Sequence, residues 1–206
     1  RMYIAIEGVK GSGKSTLLAQ LTEKLQQQNI QFVSFNPTRP MPMQTWWEQS
    51  YAQWAHDDSF ISALYSARAN YHAQATDFQQ DLVLGDRSIL TSMVTRWQQN
   101  RHRLGSYIRQ VQMQEQAVPV PDVVLYLDVS LNVVQQRLAQ RERHYGLQDE
   151  TLLRLQQTQQ AYRQIFRQKQ RFGLHNMQVE VFDANQNSAE LLQAVEQYIQ
   201  SVCVAV

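Results

Sequence analysis

Along this chain apolar residues gather in short unbroken or alternating runs, separated by longer stretches in which they recur every third or fourth position. The runs at 2–6, 30–35, 82–84, 122–129 and 178–183 predict five strands. Between them, helical spacing begins at Leu17, Leu18, Leu21 and Leu25 and ends near residues 28–29. It returns at 59–79 with a stripe of Ala63, Leu64, Ala67, Tyr71, Ala75 and Phe78, then at 89–97, 107–116, a stretch carrying Arg137 and Arg141, 149–171 and 188–202. Run 122–129 is nearly continuous in apolar residues, the mark of a strand buried on both faces of a parallel sheet. Strands alternating with helices predict an α/β fold: a five-stranded parallel sheet with helices on both faces and ligands at the carboxyl ends of the strands. Between 36 and 42 three prolines exclude regular structure. The segment with Trp46, Trp47, Tyr51 and Trp54 that follows is expected to be helical and to line a pocket or the core.

With 206 residues, no internal repeat and no linker, a single domain spanning 1–206 is expected. Lysine and arginine number 19 against 18 aspartates and glutamates, a formal charge of +1, which gives no electrostatic case for nucleic acid or a membrane surface as partner. The N-terminus lacks a signal-peptide succession and no run approaches a spanning helix, so a cytoplasmic location is expected. The lone Cys203 excludes an internal disulfide, and the five histidines show no ligand spacing that would hold a transition metal.

Candidate chemistry is concentrated in Gly8-Val9-Lys10-Gly11-Ser12-Gly13-Lys14-Ser15-Thr16, directly after the first strand and before the first helix. Its G-x-x-x-x-G-K-S spacing is that of a phosphate-binding loop, whose glycines let successive backbone N–H groups turn toward the phosphates of a nucleotide. Lys14 would reach the β- and γ-phosphates, the Ser15 hydroxyl would ligate Mg²⁺, and the helix N-terminus would add to the anion site. The other polar clusters also fall at strand ends: Thr38-Arg39, Asp86-Arg87 and Asp183.

Together these pieces resemble the thymidylate kinases of the nucleoside monophosphate kinase group. The resemblance is carried by Ile6-Glu7-Gly8 leading into the loop, by Leu64-Tyr65-Ser66-Ala67-Arg68 with His72, and by Asp86-Arg87-Ser88-Ile89-Leu90-Thr91. It continues through Pro121-Asp122 to Asp128-Val129, the Arg137 and Arg141 pair, and Asp183-Ala184, so that it spans almost the whole chain. It implies a P-loop kinase fold with a lid at about 141–148, Mg²⁺ and ATP as cofactors, nucleotide substrates, and a homodimer formed by helices near Arg68 and Ile89. It also implies transfer of the γ-phosphoryl of ATP to a nucleoside monophosphate, dTMP foremost. On this resemblance Gly8, Lys10, Gly11, Ser12, Gly13, Lys14, Ser15, Thr16, Arg137 and Ala184 serve ATP. Arg39, Leu64, Tyr65, Arg68, Arg87, Thr91 and Thr95 serve the acceptor, Ser15 and Asp86 the metal, and Lys14, Asp86, Arg87 and Arg141 the transfer itself; Arg143 is a second candidate in the lid.

The departures from that pattern all touch the acceptor side. Lys10 stands where many members carry an acid in the loop, Thr38-Arg39-Pro40 lacks the usual glutamate, and Ser88 replaces an aromatic. Thr95 falls near the tyrosine that favours a deoxy sugar, and Leu64 falls where a phenylalanine stacks on thymine, with Tyr65 beside it. Two rival readings follow. Asp86-Arg87-Ser88 is also similar to the E-R-S motif of deoxynucleoside kinases, but a sugar hydroxyl needs a general base and the carboxylate those enzymes place before proline is Asn36 here. A regulator that binds nucleotide without catalysis would explain the departures; the intact Asp86-Arg87 and the lid arginines argue against it.

Overall fold

The computed structural model describes residues 1–95, 103–141 and 151–203. Five parallel strands form one sheet in the order β2-β3-β1-β4-β5: β1 (Met2–Glu7), β2 (Val33–Phe35), β3 (Leu82–Asp86), β4 (Val123–Asp128) and β5 (Gln178–Asp183). β1 is the axis, pairing Met2 with Leu82 on one side and Ile4 with Val123 on the other. Ile4, Ala5 and Ile6 are accordingly fully buried, as an all-parallel sheet covered on both faces requires. Every strand therefore ends on the same edge, and the loop after β1 lies at its centre.

The expected second strand is cut from 30–35 to 33–35. Asn29 adopts φ 56° and Ile30 N–H donates to the Leu25 carbonyl at 2.9 Å, so these residues spend their backbone on closing the first helix. Eight helices join the described strands: α1 (Lys14–Gln27), α2 (Gln44–Ser50), α3 (Asp58–Gln74), α4 (Ile89–Val94), α5 (Leu104–Gln114), α6 (Leu131–Ala139), α7 (Leu152–Arg167) and α8 (Ser188–Cys203). α1 packs with α8, while α4 is wedged among α3, α5 and α7. Side chains close the helix starts where the sequence offers an oxygen: Asp57 accepts from Phe60 N–H at 3.0 Å, and Ser88 from Leu90 N–H at 3.2 Å.

Two expectations about packing are corrected. α3 buries Ile61, Ser62, Leu64, Ser66, Ala69 and Ala73, whereas Ala63, Ala67 and Tyr71 of the expected stripe face outward. The inner face carries serines because partners await them: Ser66 Oγ donates to Glu115 at 2.9 Å, and Ser62 Oγ lies 3.4 Å from the Tyr107 hydroxyl. Phe78 lies beyond the helix, in a loop, and still reaches the core by packing edge-on to Phe35 at 5.0 Å. The tryptophans are the second correction. Trp46 is 52 % exposed and Trp54 44 %; Trp47, Tyr51 and Trp54 stack in a row along the outside with Trp46 packed edge-on against Trp47, and none of the four lines the cleft described below. No helix among the described residues is long and apolar enough to cross a membrane.

Candidate functional site

A cleft of about 1210 Å³ opens over the carboxyl ends of the strands, with residues 8–17 as its floor. The loop can take this path because Gly11 and Gly13 stand at φ 81° and 91°, a region that costs a side chain strain. A Cβ at Gly11 would also meet Val134 at 3.1 Å, since α6 packs directly on the loop. Lys14 begins α1 and its ammonium is paired with Asp86 at the end of β3. Burial first, and the nearby Arg87 charge second, push the Lys14 pKa down, against the pull of Asp86. The other Asp86 oxygen accepts from Asn36 Nδ2 at 3.3 Å. Asn36 is itself fixed, its Oδ1 accepting from Thr38 N–H at 3.1 Å and from the Thr38 hydroxyl at 3.0 Å. The amide group of Asn36 thus faces the site.

Arg87 follows Asp86 with φ 73°, a left-handed backbone that a non-glycine residue holds only under constraint. Its N–H donates to the Ile6 carbonyl at 3.1 Å, which ties the turn to β1. Its Nη1 donates to the Gly8 carbonyl at 3.1 Å and to Thr91 Oγ1 at 3.3 Å. Beneath it lies Glu7, with 0 % exposure, 3.9 Å from Nη1. The Tyr162 hydroxyl donates to that carboxylate at 2.6 Å. Glu7 immediately precedes the loop, which is the one local signal for it; Tyr162, in an apolar stripe 155 residues away, offers none.

Arg39, Tyr65, Arg68, Thr91 and Thr95 share the cleft wall on the far side of Asp86. The Arg68 guanidinium lies over the Tyr65 ring, 4.1 Å from its centroid, so the two side chains hold each other in place by a cation–π contact. His72 Nε2–H donates to the Arg39 carbonyl at 2.7 Å, which pins the proline-rich turn to α3. Leu64, in contrast, is 8 % exposed and packs inward; Tyr65 is the residue of that pair that reaches the cleft. α2 contributes Gln44 and Glu48, polar residues that the aromatic segment hid from view. A side pocket of about 40 Å³ extends behind Tyr65 and Arg68, walled largely by hydroxyl groups, among them Ser62, Ser66, Ser92, Thr95 and Tyr107.

On the opposite wall Lys10, Ser15, Thr16, Arg137 and Arg141 line the cleft. Arg137 donates from Nη1 to the Gly11 carbonyl at 3.3 Å and from Nη2 to the Ala184 carbonyl at 2.8 Å. Ala184 itself is buried and meets the site only through this carbonyl. Arg141 follows the end of α6; the rest of the expected lid, and Arg143 with it, lies outside the described residues. Among the described residues no group of three or more His, Cys, Asp or Glu side chains gathers to cage a metal.

The family model described as thymidylate kinase matches residues 6–193. A curated relative, the thymidylate kinase of Leptospira borgpetersenii serovar Hardjo-bovis (strain L550), is 26 % identical over 172 residues, covering 80 % of each chain. Among solved structures, a deoxyadenosine kinase from M. mycoides with bound dATP superposes with a TM-score of 0.69 at 20 % identity, over 97 % of this chain and 100 % of that one. That likeness is one of fold, the P-loop kinase fold.

Proposed function

This chain belongs to the thymidylate kinase family, and from that premise we propose that it transfers the γ-phosphoryl of ATP to the 5′-phosphate of a nucleoside monophosphate, dTMP foremost. The observation that carries this reading is the charge of the cleft wall. Among the described residues Lys10, Lys14, Arg39, Arg68, Arg87, Arg137 and Arg141 line it against two carboxylates, Glu48 and Asp86. Such an excess suits two polyanionic substrates brought together. Phosphoryl transfer asks for little beyond this neutralisation and for alignment of donor and acceptor.

In this reading Lys14 and the loop N–H groups hold the ATP phosphates, and Arg137, its plane set by the Gly11 and Ala184 carbonyls, packs on the adenine. Arg141 and Lys10 meet the transferring group from the lid side. Arg87, Arg68 and Arg39 grip the acceptor phosphate, for which a guanidinium fork is well matched. Tyr65 takes the base in place of the inward-facing Leu64, with Thr91 and Thr95 at the sugar. Magnesium fits the donor set: a serine hydroxyl at Ser15 and one carboxylate at Asp86 are what a hard, largely hydrated ion takes beside nucleotide oxygens. Bound there, it would supply neutralisation of phosphate charge. Lys14 exchanging Asp86 for phosphate frees that carboxylate for the role.

A monophosphate is already an anionic nucleophile. A sugar hydroxyl would need a base, and Asn36, with its amide turned to Asp86 and its oxygen taken by Thr38, cannot serve as one. The setting is the cytoplasm, and the working form a homodimer. The test is ADP release from Mg-ATP with dTMP, dUMP, dCMP, UMP, dGMP and thymidine. Turnover with dTMP that falls about 10²- to 10³-fold in Arg87→Ala, the scale of losing a charge stabiliser at a transferring group, is the expected result. Turnover with thymidine alone would move the assignment to a nucleoside kinase, and silence across the panel with ATP still bound would move it to a regulator.

A further inference from the structure

Carboxylates seldom lose all contact with water unless they are paired, and Glu7 has lost all of it. Its Oε1 accepts from Ser88 N–H at 2.8 Å and from the Ser88 hydroxyl at 2.7 Å. Its Oε2 accepts from the Tyr162 hydroxyl at 2.6 Å and from Thr91 Oγ1 at 2.9 Å, and Arg87 Nη1 lies 3.9 Å away. These donors come from the turn after β3, from α4 and from α7. Capping α4 alone would not call for them, since Ser88 already caps it by accepting from Leu90 N–H. The carboxylate they fix faces Arg87: Thr91 and the Gly8 carbonyl accept from its Nη1, and Glu7 lies opposite it as the ion-pair partner at 3.9 Å.

We propose that Glu7, held by Tyr162, is a positioning residue for the phosphoryl transfer, aiming the Arg87 guanidinium at the acceptor phosphate and tying α7 to that alignment. The proposal rests on the reading that Arg87 grips the acceptor. Two cations, Lys14 and Arg87, crowd the site, and each has one carboxylate. The Asp86 side chain is 34 % exposed and can release Lys14 when phosphate arrives. Glu7 is sealed in and cannot leave Arg87, so the guanidinium keeps its orientation while it engages the substrate. Burial and then the Glu7 charge raise the Tyr162 pKa well above the ordinary phenol value, so that hydroxyl stays a donor throughout the working range.

The experiment is a double-mutant cycle between Glu7→Gln and Arg87→Ala, read in kcat and in KM for each substrate. Glu7→Gln, which removes the charge facing Arg87 and keeps the shape, is expected to lower kcat/KM for the monophosphate by about 10- to 100-fold, with KM for ATP and the melting temperature little changed. In the Arg87→Ala background it should cost less than about twofold, because the group it aims is gone. Tyr162→Phe, which removes one donor and no charge, should follow the same pattern with a smaller loss, and it carries the test if Glu7→Gln fails to fold. Additive losses in the cycle, or parallel losses in ATP binding and melting temperature, would overturn the positioning role and leave the functional reading standing. A wild-type protein silent with every monophosphate would remove that reading, and this proposal with it.

Discussion

Glu115, at the end of α5, is 1 % exposed and accepts from Ser66 Oγ at 2.9 Å and from Ser92 Oγ at 3.0 Å. Burial raises its pKa to about 7, against the two hydroxyl donors and the Arg68 charge, which pull it down. The unfolded chain holds this group near the ordinary carboxylate value, so between about pH 4.5 and 7 the native state binds more protons than the unfolded one. Stability is therefore expected to fall as pH rises through that window, by an amount on the order of 3 kcal/mol, and to level off above it. Glu115→Gln should flatten that slope and melt higher than wild type at pH 8, as urea melts at several pH values would show; an unchanged slope would remove Glu115 as its cause. Neither Glu7 nor Glu115 is legible as a buried acid in the sequence. A carboxylate reads as solvated, and the donors that make burial tolerable lie 23 to 155 residues away. The phosphate loop is legible because its chemistry is backbone geometry confined to nine neighbouring residues, Gly8 to Thr16.

α3 shows how far periodicity carries an element. Its existence and start were legible, but the apolar spacing selected a partly outward face, because the serines on the inward face are paid for by Glu115 and Tyr107 rather than by polarity toward solvent. The row Ala63, Ala67, Tyr71 is left exposed, with small residues at successive turns that would let a second helix approach closely. α4, the other helix near the expected interface, buries Ile89, Leu90, Met93 and Val94 inside the subunit and has little left to offer a partner. A two-fold pairing of copies is thus expected to run through α3, where residue 67 would face its own symmetry mate's surroundings. Sedimentation velocity should give a dimer for the wild type and a monomer for Ala67→Glu, with the melting profile of the subunit retained because residue 67 is outside the core. A wild-type monomer at tens of micromolar, or a dimer indifferent to Ala67→Glu, would exclude this face. In and just after the neighbouring α2 the tryptophans misled in the same way: a hydrophobic count says bury, whereas stacking on one another lets Trp47, Tyr51 and Trp54 shed part of their water contact on the surface.

At the scale of the molecule, the parallel sense of the strands and the edge that carries the candidate site were legible together, since parallel strands with helical crossovers must all end on one edge, whereas the strand order β2-β3-β1-β4-β5 came only with the structure. Charge sorting was not, because net charge hides it. The whole chain carries 19 − 18 = +1, while the cleft wall carries seven cations and two carboxylates, 7 − 2 = +5. The described residues by themselves also sum to 16 − 15 = +1, so those outside the cleft wall carry 1 − 5 = −4, a negative body around a positive cleft. Such a field draws anionic substrates in and is screened beyond a Debye length of about 8 Å at physiological salt. The KM values for ATP and for the monophosphate are both expected to rise several-fold between about 0.05 and 0.5 M NaCl, with kcat changing much less, since groups in contact within the closed site are screened less than those acting at a distance. The ligand-free protein should not lose stability over the same range, because salt also relieves repulsion among the clustered cations. Michaelis constants insensitive to salt would mean that the seven cations act only by contact, and that the sorting of charge between cleft and body has no part in gathering the substrates.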